Sequence, residues 1–266
     1  MPEREFNKLR WKEISIIPQS AMNALDPVYT IREQIAEAIN THTDKNSTKT
    51  NQRIDELMQL VGLKPERADD YPHEFSGGMR QRAMIAMALA LNPSLIIADE
   101  PTTALDVIMQ DQILDEILKL HKKFNITMLL ITHDIAVVAQ TCKRMGVMYA
   151  GKIMEIGTVE EIFASPSHPY TIGLLNAFPS VTRRGQELIS IPGSPPSLLN
   201  PPEGCRFFAR CPWAIKLCKK ETPWKEVNHG HFSACHRLSE VDIFRQKARD
   251  YNVWQSVTVE KDTIPR

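Results

Sequence analysis

The chain has 266 residues, and its 32 lysines and arginines balance 32 aspartates and glutamates. It is long enough to bury the core of one large or two modest domains, and it carries no charge excess that would draw it to nucleic acid or anionic lipid. The charged first residues predict no secretory leader, and the longest apolar stretch, Ala83 to Ala98, is broken by Asn92-Pro93-Ser94, so it reads as a core helix turning into a core strand rather than a membrane span.

Taken in order, polar Met1 to Arg10 leads into a strand at Ile14 to Ile17. Thr30 to His42 and Asn51 to Leu63 are predicted helices, with apolar Ile31, Ile35, Ala38 and Ile39 in the first and Ile54, Leu57, Met58 and Val61 in the second. Thr43 to Thr50 reads as a polar loop between them. Ser76-Gly77-Gly78 opens a helix that runs to about Leu91. Leu95 to Ala98 is a short apolar run of the fully buried parallel kind, with Asp99-Glu100 at its carboxyl end, where open α/β sheets take ligands. Helix Val107 to Phe124, strand Ile126 to Ile131, helix Asp134 to Cys142 and the strand pair Arg144 to Tyr149 and Lys152 to Ile156, turning at Ala150-Gly151, follow. Alternation of helix and strand predicts a parallel α/β sheet. Cys142, at a helix end, reads as a buried core thiol.

The start of a helix offers unpaired N–H groups to a phosphate, and two acids at a strand end suit a metal ion or a reaction. Singly, each feature is ordinary: SGG is a common loop-to-helix junction, an acidic pair is often a helix cap, and an isolated His after a strand is usually structural. In order, however, Phe75 to Pro101 (FSGGMRQRAMIAMALALNPSLIIADEP), Thr102-Thr103-Ala104-Leu105-Asp106 and LLITHD at 129–134 resemble the ATP-binding subunits of ABC transporters. By that resemblance Gln19 is the Q-loop glutamine that senses Mg²⁺ and the attacking water. Phe75 to Gln81 is the signature, with Phe75 and Met79 where many members have Leu and Gln, and Ser76, Gly77, Gly78 and Gln81 on the nucleotide side. Asp99 is the Mg²⁺ ligand, Glu100 orients the hydrolytic water, Ala104-Leu105-Asp106 is the D-loop, and His133 is the switch histidine at the γ-phosphate. These are the needs of phosphoryl transfer: metal, charge neutralisation and a placed water.

No G-x-x-x-x-G-K-[ST] stretch occurs, and only eighteen residues precede Gln19, whereas the family has its P-loop well upstream. The expectation is therefore an α/β P-loop NTPase core of ABC type that is truncated at its amino end, lacking the P-loop strand and helix and the aromatic residue that stacks on adenine. Without that cradle the chain alone is expected not to hydrolyse ATP. Residues 1–160 would form this core, with a helical subdomain at about 20–85 where the family contacts its membrane subunits.

Beyond about Glu160 the composition changes. Ser165 to Thr171 (SPSHPYT) and the proline-rich Ile191 to Gly204 could be a plain linker, but the first resembles the carboxyl-terminal extension of oligopeptide and dipeptide ABC importers, a branch that includes nickel importers. That extension would span 161–240, followed by an uninformative charged tail at 241–266. Cys205, Cys211, Cys218 and Cys235, with gaps of five, six and sixteen residues, point to a metal rather than disulfides. The spacing lacks the tight C-x₂₋₄-C of zinc sites and suits an iron–sulfur cluster. Some members of the resembled branch carry a [4Fe–4S] cluster here. Zinc, with His229, His231 or His236, and free thiols remain alternatives. With few periodic apolar residues, the extension is expected to rely on that metal for its fold.

The resemblance implies a peripheral subunit on the cytoplasmic face of the membrane that binds ATP and Mg²⁺ and powers peptide uptake. Its partners would be a second, homologous ATPase subunit in a heterodimer, two membrane permease subunits and, through them, an extracellular solute-binding protein. In such dimers each ATP lies between one subunit's P-loop and the other's signature, so Gln19, Asp99, Glu100 and His133 serve one site and Ser76, Gly77, Gly78 and Asp106 the other. Two further readings stand beside it: a non-hydrolysing half-site module that completes a partner's site, and an ABC protein acting outside transport.

Overall fold

A three-stranded parallel sheet organises the first part of the chain. The computed structural model describes residues 2–19, 24–43, 46–103, 105–177, 190–255 and 257. Ala104 of the D-loop, residues 20–23 of the helical subdomain, 44 and 45 of the polar loop, and the tail from 258 therefore lie outside the described residues. The chain divides into two compact units, one up to Ile135 and one from Ala136, upstream of the composition change near Glu160.

In the first unit, β1 (Ile14–Ile17), β2 (Leu95–Asp99) and β3 (Thr127–Ile131) lie in the order β1-β2-β3. Ile16 pairs with Ile97, Ile97 with Leu129, and Asp99 with Ile131, so the three carboxyl ends finish at one edge. Alternation puts Ser15, Ile17, Ile96 and Ala98 in the interior. The other face carries Ile16, Ile97, Leu129 and Ile131, and of these Ile16, Leu129 and Ile131 are 46%, 52% and 46% exposed. The expectation of a strand buried on both sides is thus corrected: β2 is covered on one face, and its Ile97 is only half-buried.

Helices α1 (Glu3–Leu9), α2 (Ile31–Asn40), α3 (Ser47–Leu60), α4 (Gly77–Ala88) and α5 (Val107–Phe124) complete this unit, and α1 buries no residue. Thr30 and Glu33 form a reciprocal cap on α2. The third helix starts four residues before the predicted Asn51, because the Asn46 side chain accepts from Lys49 N and recruits half of the expected loop. The fourth ends at Ala88 rather than near Leu91, and Asn92 then turns through a left-handed φ of 52°. Ala83 to Ala88 are all buried, because α4 packs against α2, α3 and α5 and also against β1. Arg82 donates to Val61 O at the end of α3 and pairs with Glu116 of α5, while Arg53 reaches back to Leu89 O and Ala90 O.

The second unit is built on an antiparallel sheet of β4 (Arg144–Tyr149), β5 (Lys152–Thr158), β6 (Lys225–Asn228) and β7 (His231–Ser233), in the order β4-β5-β7-β6. Ala150 and Gly151, at φ 47° and 78°, make the predicted hairpin turn, since both central positions of this turn require positive φ. Short helices α6 (Ile135–Thr141), α7 (Val159–Ala164), α8 (Pro169–Asn176), α9 (Val241–Lys247) and α10 (Tyr251–Gln255) accompany it, the first of them starting at the unit boundary. Cys142 is half-buried, which corrects its reading as a core thiol: α6 buries no residue. No helix among the described residues is long and apolar enough to cross a membrane.

The tail expectation is overturned here. The second unit has an apolar core in which Tyr149, Met154, Ile172, Phe207, Val241, Phe244, Ala248 and Trp254 pack together, and the extension itself contributes only Ile172 and Phe207 to it. Val241, Phe244, Ala248 and Trp254 come from the stretch read as an uninformative tail, and Trp254 is fully buried with its Nε1 donating to Ala248 O at 3.0 Å. Widely separated aromatics across short elements give no periodicity, so this core escapes a pattern search. Trp254→Ala should therefore destabilise the second unit by about 3–5 kcal/mol, read as a shifted urea midpoint for that unit.

Candidate active site

Glu100 is the hub of the first site. It follows β2 directly, its backbone is in the left-handed region at φ 44°, and its N–H donates to Ile131 O of β3 at 2.8 Å. Asn92 and Ala150 take the same backbone conformation in turns, so at Glu100 it is the partners of the side chain that point to function. Three donors converge on the side chain. Gln19 Nε2, just past β1, donates to Glu100 Oε2 at 2.9 Å, Thr103 Oγ1 donates to the same oxygen at 2.8 Å, and His133 Nδ1, just past β3, lies 3.1 Å from Oε1. These bonds, Thr103 first and His133 next, hold the Glu100 carboxyl below its ordinary range. The structure thus unites Gln19, Glu100 and His133, separated by up to 114 positions, at the ends of three strands.

Asp99 ends β2 next to this hub, half-buried, and among the described residues no hydrogen bond ends on its carboxylate. With Gln19 Nε2 engaged, the carbonyl oxygen of Gln19 faces elsewhere. An oxygen-only donor set of one carboxylate and one amide carbonyl suits Mg²⁺, which keeps several waters and takes its remaining ligands from phosphate. Thr103 is a site residue to which the motif containing it, Thr102 to Asp106, assigns no role. Its position three residues after Glu100, where its N–H also donates to Glu100 O at 3.1 Å, is the turn geometry that could have flagged it.

The signature residues form a second group. Ser76 caps α4 by accepting from Met79 N, and Asp106 caps α5 by accepting from Met109 N. Gly78 is buried under Met109, whose Cε would lie 2.3 Å from any added Cβ, so the two helix starts are packed against one another. Gln81 points inward and is buried, with its Nε2 unpartnered among the described residues. Ser76 and Asp106 are exposed, so these two helix starts face outward.

In the second unit, Cys205, Cys211, Cys218 and Cys235 line one cavity with His236 and Thr222. Burial pushes the thiols of Cys205 and Cys211 up and that of Cys235 to about 11. Against this, backbone N–H groups two residues downstream favour the thiolates: Phe207 at Cys205, Trp213 at Cys211 and Arg237 at Cys235, the last at 3.4 Å. Buried thiols with N–H groups aimed at their sulfurs fit a thiolate-bound cation, which would offset the burial cost. Yet among the described residues no three His, Cys, Asp or Glu side chains stand close enough to hold a single metal ion. The zinc alternative loses a donor as well, because His231 Nε2 lies 2.7 Å from the buried Glu155, and His229 is exposed.

The SPSHPYT segment is anchored on that same carboxylate. Glu155 of β5 accepts from Ser167 N at 2.7 Å and from His168 N at 2.8 Å, and His168 Nδ1 then caps α8 by accepting from Tyr170 N. The segment is a structural latch rather than a linker.

Residues 3–103 match the ABC transporter family and residues 154–218 the oligopeptide/dipeptide transporter C-terminal region. The oligopeptide transport ATP-binding protein of Escherichia coli is 47% identical over 244 residues, covering 90% of this chain and 72% of that protein. The chain belongs to the ABC transporter ATP-binding proteins of the oligopeptide and dipeptide branch. The dipeptide transport ATP-binding protein of Lactococcus lactis is likewise 49% identical, over 88% of this chain and 68% of its own. Among solved structures, the dimeric post-hydrolysis state of the ATP-binding cassette MJ0796, bound to ADP and Pi, matches 60% of this chain and 68% of its own at 28% identity and a TM-score of 0.53. Membership accounts for the parallel sheet with its acids at the strand ends and for the extension that follows it.

Complete burial lowers the pKa of His168 to about 4, against a smaller upward pull from Glu155. The folded chain therefore keeps this imidazole neutral while the unfolded chain protonates near pH 6.5. Its contribution to stability is present above about pH 6.5 and lost as pH falls towards 4. Urea midpoints of the second unit should fall across that window, and His168→Asn, which keeps a capping acceptor, should flatten the slope.

Proposed function

We propose that the chain is the ATP-binding subunit of an ABC importer of oligopeptides or dipeptides and works at the cytoplasmic face of the membrane with two permease subunits and a homologous ATPase. The observation that supports this reading is the convergence of Gln19, Thr103 and His133 on Glu100 beside a carboxylate suited to Mg²⁺. Asp99 and Gln19 would hold Mg²⁺, which supplies charge neutralisation for the triphosphate. Glu100, kept ionised, accepts a hydrogen bond from the attacking water and orients it. His133, whose side chain is 79% exposed while its Nδ1 meets Glu100, would be open to the γ-phosphate.

The phosphate cradle itself is the P-loop, for which this sequence has no G-x-x-x-x-G-K-[ST]. We assign it, with its strand and helix, to sequence outside this chain, and the open face at Ile16, Leu129 and Ile131 supports that reading, since an uncovered apolar sheet face wants a packing layer. The half-site reading draws on the outward-facing Ser76 and Asp106, the groups that would complete a partner's ATP site. On this reading the chain alone leaves ATP intact. Mixing it with a P-loop-containing homologous ATPase should raise the partner's hydrolysis rate, and Ser76→Arg should return it to the partner's own rate. Stimulation that survives this substitution would reject the assignment.

The same reading gives Cys205, Cys211, Cys218 and Cys235 a [4Fe–4S] cluster. What supports it is that four cysteines, the number of thiolates such a cluster takes, line one cavity, although among the described residues no group of side chains stands ready to hold a metal ion. Anaerobically purified protein should contain about four irons per chain with matching acid-labile sulfide. Stoichiometric zinc without sulfide would replace the cluster with a structural zinc site.

A further inference from the structure

Gln110, a side chain with no part in the chemistry described so far, reaches back over the turn that joins the Glu100 hub to the start of α5. It follows the Asp106 cap by four positions and is half-buried. Side chains on a helix lean toward its amino end, so a residue there can meet the chain that enters the helix. Its Nε2 donates to Thr102 O at 3.2 Å and to Leu105 O at 3.1 Å, which uses both hydrogens of the amide. Those two carbonyls lie between the acid and the helix cap. On the upstream side, Thr103 donates from N to Glu100 O and from Oγ1 to Glu100 Oε2. On the downstream side, exposed Asp106 accepts from Met109 N at 3.0 Å. The backbone closes this stretch with Leu105 N on Thr102 O at 3.3 Å, and the Gln110 carboxamide ties it to the helix.

We propose that Gln110 is a positioning residue whose carboxamide holds the turn after β2 against α5, keeping Thr103 on Glu100 and Asp106 on the outward face at the same time. The inference rests on the half-site reading given above, in which Asp106 helps to complete a partner's ATP site. Gln110 itself touches neither nucleotide nor attacking water. It acts through Thr103 on one side and Asp106 on the other, so one side chain serves both sites.

The test uses the full chain with Gln110→Met, which keeps length and helix propensity but cannot donate, and with Gln110→Glu as a second variant without the amide hydrogens. The first readout is the Gln19 side-chain amide in ¹H–¹⁵N spectra. Gln19 Nε2 and Thr103 Oγ1 donate to the same oxygen of Glu100, so releasing Thr103 strengthens the Gln19 bond and moves its bonded proton downfield. Both variants should move that proton in the direction seen in Thr103→Val. The second readout is the hydrolysis rate of a P-loop-containing homologous ATPase mixed with the chain. Gln110→Met should lower the maximal stimulation about fivefold, the size of one lost hydrogen bond, and leave the half-saturating concentration of chain unchanged. A native chain that gives no stimulation overturns the half-site reading and this inference with it. Where the native chain stimulates, a Gln19 proton that stays in place in Gln110→Met, or undiminished stimulation by that variant, leaves the half-site reading standing and overturns the inference alone.

Discussion

The parallel register of three strands is the constraint on which the first unit depends. Because Ile16 lies beside Ile97 and Ile97 beside Leu129, the residues just past each strand, Gln19, Glu100 and His133, emerge together. Side-chain period in a strand is two, so a slip of one residue in β2 would turn Ile96 and Ala98 out of the core and aim Asp99 and Glu100 at the wrong faces. Burial of one sheet face and the geometry of the site are thus fixed by the same pairing. The left-handed turn at Glu100 and its backbone bond to Ile131 then lock the acid to its neighbouring strand.

The second unit reaches order by a different route. Its sheet is small, and a buried carboxyl group, Glu155, gathers Ser167, His168 and His231 where apolar packing alone would be thin. Such a group is tolerated in the interior only when its lone pairs are satisfied, and three partners do so here. Phe207, Phe244 and Trp254 supply the apolar mass next to the four-cysteine cavity. A metal at the cysteines would therefore add to an existing core rather than replace one.

What was legible in the sequence follows from the range of each signal. Ser76-Gly77-Gly78, Asp99-Glu100 and His133 stand in ordered local motifs, and the long apolar helices show their period, so the α/β core and most of the site can be read directly. Asn46 as a cap that lengthens α3 needs the local competition between turn and helix to be resolved, which apolar spacing does not report. Thr103 is hidden because a hydroxyl within a turn looks like punctuation until the carboxylate it meets is in place. Glu155 and Trp254 are illegible for another reason. Each is a single residue whose partners are distant in sequence, 76 positions for Glu155 and His231, and no periodic pattern records such a pairing.

The central claim is that the first unit holds Glu100 as an ionised and oriented carboxylate, by means of donors carried on strand ends and on the turn that follows β2. The most direct measurement is a carbon-detected NMR titration of the Glu100 side-chain carboxyl, in the native chain and in Thr103→Val. The account predicts a midpoint below the ordinary glutamate range in the native chain, because Thr103, His133 and Gln19 all favour the charged form. It also predicts an upward move in Thr103→Val, where the first of those donors is lost. A native midpoint at or above the ordinary range, unmoved by the substitution, would contradict it.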